Sequence, residues 1–213
     1  MNSQSKAIRI AERVFRELKL RPGVSEKKVA GWIRKKLKEY GARKEAFRII
    51  VASGWRSSKV HGFASRKIIR AGEVVMLDLG ALYKGYRSDI TRTFILGKPS
   101  ALQRRVYKLL KRAQQAALLR IKAGMECRLV DQAARRVIEK AGLGRFFRHS
   151  TGHGIGHKTH QAPKISRKNR NQLKAGQVIT IEPGIYLKKW GMRIEDMVKV
   201  TKNGHRLLTR VPK

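Results

Sequence analysis

The chain has 213 residues, 41% of them apolar, which suffices for one ordinary domain or two small fused halves around a packed core. Its 51 Lys and Arg against 14 Asp and Glu give a formal charge of +37, a positive field that attracts polyanions. No run reaches the roughly 18 to 20 apolar residues of a membrane span, the opening MNSQSKAIRIAERVF lacks a secretory apolar block, and the single Cys127 argues against a disulfide framework or a Cys-based zinc site, so the expected address is the cytoplasm.

The basic residues are spread along every predicted helix and are not gathered into one tail or aromatic-interleaved patch. They imply a generally basic exterior with nonspecific nucleic-acid contact, not a dedicated RNA site.

In chain order, the apolar spacing predicts a helix from about Ser5 to Leu20, the breaker Pro22-Gly23, and a second helix from Ser25, its N-cap, to Tyr40, stopping at Gly41. A helix from Ala101 to Ile121, the breaker Ala123-Gly124 and a helix from Cys127 to Ala141, stopping at Gly142, repeat that order. The interval from Gly23 to Gly124 equals that from Gly41 to Gly142, so the chain reads as two related halves, about 1–97 and 98–213. Cys127, inside the fourth helix, is a small packing residue.

Strand-like sequence follows each helix pair. RAGEVVMLDLGALY (Arg70 to Tyr83) aligns with KAGQVITIEPGIY (Lys174 to Tyr186), placing Asp78 on Glu182. GYRSD aligns with GMRIE, placing Asp89 on Glu195. The runs Val74 to Leu77 and Val178 to Ile181 have the β-rich character of strands buried on both faces. An ionised carboxylate closing such a run needs a partner, and four gathered by a pseudo-two-fold axis need cations. Oxygen-rich coordination with one imidazole suits manganese, iron, cobalt or zinc, and two ions sharing bridging carboxylates match the count.

Among six histidines, His153 lies in STGHGIGH, where flanking glycines allow close backbone approach to a ligand or ion, and is the candidate metal ligand. His61 and His160 are candidates for hydrogen-bonding substrate. His157 is set aside as a ligand, His149 is unassigned, and His205 is read as a turn residue beside Gly204. A phosphate loop, a nucleophile elbow and a His-Glu-x-x-His zinc helix are all missing.

With these residues in place, the chain resembles the pita-bread metallopeptidases, the family of aminopeptidase P, prolidase and methionine aminopeptidase. The resemblance runs from about Ser3 to the C-terminus through DLGALYKGYRSDITRT, STGHGIGHKTH, IEPGIY and GMRIEDMVKVT. It implies an α/β (α+β) fold of two pseudo-symmetric helix–helix–strand halves around a di-metal cleft. It further implies that Asp78 binds one ion, that Asp89 and Glu195 bridge two, and that His153 and Glu182 complete the second. His61 and His160 would face substrate, Glu182 would double as a proton-transfer group, and Arg193 would lie by the active site. Glu-Pro-Gly-Ile-Tyr and Arg-Ile-Glu-Asp resemble the aminopeptidase P and prolidase branch, implying Xaa-Pro peptide substrates. The expectation is a single catalytic domain over residues 1–213, without the domain that precedes it in that branch. A methionine aminopeptidase and a noncatalytic RNA- or ribosome-binding protein of the same fold are the alternatives, and the oligomeric state is left open.

Overall fold

The computed structural model describes residues 2–213. Four helices carry the repeat: α1 (Ser3–Glu17), α2 (Glu26–Glu39), α3 (Ala101–Leu118) and α4 (Cys127–Lys140). Asn2 caps α1 by accepting from Ser5 N at 2.9 Å, and Ser25 caps α2 by accepting from Lys28 N at 3.2 Å. Ser100 and Gln103 form a capping box on α3. The first helix ends before the predicted Leu20, because Leu18 is already extended on the way into the Pro22-Gly23 turn. The third ends before the predicted Ile121, whose N–H bonds Leu118 O at 3.1 Å in a tighter, three-residue turn.

The helix ends repeat in hydrogen-bond detail. Gly41 at φ +95° donates to Lys38 O while Ala42 donates to Leu37 O; Gly142 at φ +74° donates to Glu139 O while Leu143 donates to Ile138 O. Glycine suits both positions because a Cβ is strained at positive φ. Cys127 is buried at the start of α4, and burial pushes its thiol up to about 11.

The strand Val74–Leu79 lies between Ile50–Ser53 and Ile90–Ile95, antiparallel to both, and every residue in it is buried. Its counterpart Val178–Ile181 lies inside a five-stranded sheet, between Gly152–Gly154 and Asp196–Val200. Helices α1 and α2 cover the first sheet with Val14, Ile33 and Leu37; α3 and α4 cover the second with Leu110, Val130 and Ile138. The sheets meet where Glu195 N donates to Thr91 O (3.1 Å) and Thr93 Oγ1 donates to Arg193 O (2.8 Å). Those bonds bring the ends of the acid-bearing strands to one cleft.

His205 is not the turn residue expected from Gly204. It opens the strand His205–Leu207, paired with Val200, and the turn is closed one step earlier by Thr201 N on Gly204 O. Among the described residues no helix is long and apolar enough to cross a membrane.

Candidate metal centre

A cleft of about 920 Å³ opens between the halves, and His61, Asp78, Asp89, His153, His160, Glu182, Arg193 and Glu195 all line it. Asp78 is the penultimate residue of its central strand, and Asp89 immediately precedes the strand Ile90–Ile95 that pairs with it. Glu182 follows Ile181 at the end of the second central strand, and Glu195 stands just before Asp196–Val200. Strand ends therefore deliver all four carboxylates.

Asp89, His153 and Glu195 each bring one ligand atom within 4.8 Å of the others. His153 Nδ1 faces Gly154 O at 3.1 Å, and since a carbonyl only accepts, that nitrogen carries the proton. Its Nε2 lone pair is left toward Glu182 Oε1 (3.3 Å) and Asp89 Oδ2 (3.7 Å). Asp78 joins through Arg193, whose Nη2 donates to Oδ2 at 2.6 Å, while Arg193 Nε stands 3.9 Å from Glu182 Oε2. Asp78 Oδ1 is buried and meets no N–H or O–H donor among the described residues.

One buried guanidinium does not balance four carboxylates. Burial, then the charges of Glu195, Asp78 and Glu182, holds the Asp89 carboxyl well above its ordinary range. Glu195 is raised in the same way by burial, then by Glu182 and Asp78. Burial pushes Glu182 up to about 7 against the opposing pull of Arg193. The surplus negative charge, the orphaned Asp78 Oδ1 and the free imidazole lone pair fit divalent cations with oxygen-rich coordination.

The glycines beside His153 do a different task from the one their sequence suggests. A Cβ on Gly152 would lie 1.9 Å from Thr180 O, and one on Gly154 2.2 Å from Ala162 O. They let neighbouring backbone approach the His153 strand, not a ligand. His160 stacks edge-on against His153, with ring centroids 4.3 Å apart, and burial followed by the charge of His153 lowers its pKa. His61 also lines the cleft, its ring stacked near that of Phe63. His157 is exposed, bonded to Gly85 O at 3.1 Å and tilted against Tyr86, outside the ligand cluster.

Three contributors were missed by sequence reasoning. Thr91 donates its hydroxyl to Glu195 Oε2 at 2.8 Å and accepts from Arg193 Nε at 3.1 Å. Tyr186 OH accepts from Arg193 Nη1 at 2.7 Å and donates to His149 Nε2 at 2.8 Å, because His149 Nδ1 carries the proton toward Ser150 O. Burial and the nearby Arg193 push His149 down to about 3, so it is neutral at pH 7. Their signal was positional: Thr91 and Tyr186 lie inside the two blocks that carry Asp78, Asp89 and Glu182.

Comparison with known proteins gives this geometry a family. The model of metallopeptidase family M24 matches residues 3–202. A Xaa-Pro dipeptidase of Pyrococcus horikoshii is 45% identical over 189 residues, covering 88% of this chain and 54% of that protein. A prolidase structure from Pyrococcus furiosus superposes with a TM-score of 0.95 at 44% identity, covering 99% of this chain and 64% of that one. A Xaa-Pro dipeptidase structure from Bacillus anthracis gives 0.97 at 42%, covering 99% and 60%. The chain thus spans a little over half the length of the relatives it matches, and it has their pita-bread fold. With four strand-end carboxylates, an imidazole and a family model covering nearly all of its length, the chain belongs to metallopeptidase family M24.

Proposed function

We propose that the chain hydrolyses the N-terminal peptide bond of Xaa-Pro peptides, using two divalent cations held by Asp78, Asp89, His153, Glu182 and Glu195. Manganese is the first choice and cobalt, zinc or iron are substitutes. The observation that carries this reading is the gathering of four carboxylates around one imidazole lone pair, with less protein charge than they need. Asp89 and Glu195 would help to hold both ions, Asp78 one of them, and His153 with Glu182 the other. When bound, the cations supply the charge that keeps the carboxylates ionised, acidify water and polarise the scissile carbonyl.

The remaining steps fall to side chains. Arg193 fixes Asp78 through its 2.6 Å bond and is itself held by Tyr186 and Thr91, so the Asp78 carboxylate has one orientation. Glu182 is assigned proton transfer from the attacking water to the leaving nitrogen; its Oε2 stands 3.9 Å from Arg193 Nε. His61 and His160 are assigned to donate to the substrate carbonyl as negative charge develops there, and the depressed pKa of His160 makes it a neutral donor at pH 7.

Ala-Pro-Ala and Met-Ala-Ser peptides, incubated with the Mn²⁺-loaded and then the Co²⁺-loaded chain, test the substrate class. Release of alanine from the first and little methionine from the second is expected; the reverse preference would identify a methionine aminopeptidase.

Polyanion contact on the outer surface stands beside the peptidase activity in this proposal. It is supported by α3, which exposes Arg104, Arg105, Lys108, Lys111 and Arg112 and contains no acid. Like charges four residues apart repel within the helix, and phosphates relieve that repulsion. Binding of labelled RNA is expected to weaken steeply with salt. The slope should shrink when Arg104, Lys108 and Arg112 are replaced by alanine.

A further inference from the structure

The segment from Ser53 to Ser65 leaves the first sheet, carries His61 to the cleft wall and returns, and both of its ends reach one carboxylate. That carboxylate, Glu26, opens α2 and is completely buried. Its Oε1 accepts from Ser53 N (2.8 Å) and Ser53 Oγ (2.9 Å). Its Oε2 accepts from Ser65 N (3.0 Å), Ser65 Oγ (2.7 Å) and, from the middle of the segment, Arg56 Nε (2.9 Å). Arg56 passes the tie onward, because its Nη2 donates to Phe63 O at 2.6 Å, two residues from His61. The otherwise unpaired N–H groups at the start of α2 join in, Glu26 N on Lys67 O (3.0 Å) and Lys27 N on Ser65 O (2.9 Å).

The return path is narrow. A Cβ on Gly62, next to His61, would lie 2.7 Å from Ala52 Cβ and 2.9 Å from Arg56 O. His61 itself is exposed, and its ring makes no hydrogen bond to any described residue. Beyond its stacking near Phe63, its place on the cleft wall is set by its backbone, and Glu26 ties that backbone at both ends and in the middle. A buried carboxylate is an expensive residue in a chain with 14 acids, and its five donors all belong to the segment that carries His61.

We infer that Glu26 is a positioning residue for peptide hydrolysis, clamping both ends and the middle of the Ser53–Ser65 segment so that His61 meets the substrate in one orientation. This rests on the reading of His61 as a substrate-side group. A clamp that merely stabilises the fold and one that positions His61 differ in whether its effect on rate disappears when His61 is removed.

The test is a double-mutant cycle on the full, Mn²⁺-loaded chain, reading kcat and KM for Ala-Pro hydrolysis together with metal content. Glu26→Gln keeps the side-chain shape but offers an amide NH₂ to donors that need an acceptor. It is expected to lower kcat about tenfold at unchanged metal content, since small misplacements of reacting groups reduce rate steeply. In the His61→Ala background the same substitution should change kcat by less than about twofold. An equal fractional loss in both backgrounds, or no loss in kcat, overturns the clamp while leaving His61 its role. A wild-type kcat for His61→Ala alone overturns the reading of His61, and the clamp with it. Ser65→Ala, which removes one donor, carries the same cycle with an effect of about threefold should Glu26→Gln not fold.

Discussion

Glu195 and Asp196 are consecutive, both are buried, and their charges are met in opposite ways. Asp196 Oδ1 accepts from Arg92 Nη2 at 2.7 Å and Thr209 Oγ1 at 2.6 Å, and Lys213 Nζ pairs with its Oδ2. Arg92 is occupied in turn by Thr91 O, Glu195 O and Val211 O. Glu195 points to the other side of the strand, where Thr91 Oγ1 donates to it and the nearest charges include Glu182 and Asp78. Alternation along a strand sends one acid to a protein cation and its neighbour to the cleft. The comparison separates a carboxylate that holds the fold together from one whose compensation must come from outside the chain.

The largest expected effect lies on the protein-compensated side. Arg92→Ala leaves Asp196 buried without its guanidinium and unlatches the C-terminal residues, so unfolding by urea should show a loss of about 3–5 kcal/mol. On the cleft side, Asp89→Ala is expected to reduce the rate of Ala-Pro hydrolysis at least about a hundredfold and to lower bound metal from roughly two ions per chain. The metal-free Asp89→Ala protein should melt no lower than metal-free wild type, because the lost carboxylate has no cationic partner of its own. A large drop in its melting temperature would show that Asp89 also holds the fold.

A smaller, pH-dependent difference follows from the raised carboxyls. Asp89 and Glu195 have folded pKa values well above the unfolded range and Glu182 titrates near 7 when folded, so the metal-free folded state holds protons the unfolded chain has released. Its stability must fall as pH rises through those folded values. His149, with a folded value of about 3, and the likewise lowered His153, His160 and His205 work in the opposite direction, an effect that fades as pH rises above the ordinary histidine range and the unfolded imidazoles lose their protons. Between pH 6.5 and 8, the melting temperature of the metal-free chain is expected to decline, and Mn²⁺ should flatten the decline by replacing the protons. Parallel slopes with and without metal would contradict this.

Thr91→Val is the finest probe. It removes a hydroxyl that donates to Glu195 and accepts from Arg193 Nε, each bond worth about 1 kcal/mol, and should weaken metal affinity a few-fold in a titration and lower the melting temperature of the metal-free protein by a few degrees.

Much of this was legible before any coordinates. Apolar periodicity with Ser25, Gly41, Cys127 and Gly142 marked the helices to within a few residues, because caps and positive-φ glycines are local signals. The repeat then paired Asp78 with Glu182 and Asp89 with Glu195, since a duplicated strand carries its acid to the same end. What stayed hidden was long-range. Asp196 reads as one more acid after Glu195 until the strand Ile90–Ile95 of the other sheet supplies Arg92 from far along the chain. Glu26 reads as an ordinary first-turn acid, and its ties to Ser53 and Ser65 exist only after the sheet has formed. His149 needed Tyr186, from the separate strand Gly184–Tyr186, to acquire a partner.

Anomalous diffraction from a crystal of the Mn²⁺-loaded chain, recorded at the manganese edge, addresses the cation-compensated side directly. Two peaks roughly 3.5–4 Å apart, enclosed by Asp78, Asp89, His153, Glu182 and Glu195, are the expected result. A cleft with no peak at saturating Mn²⁺, or manganese bound elsewhere with these five side chains unengaged, would contradict it.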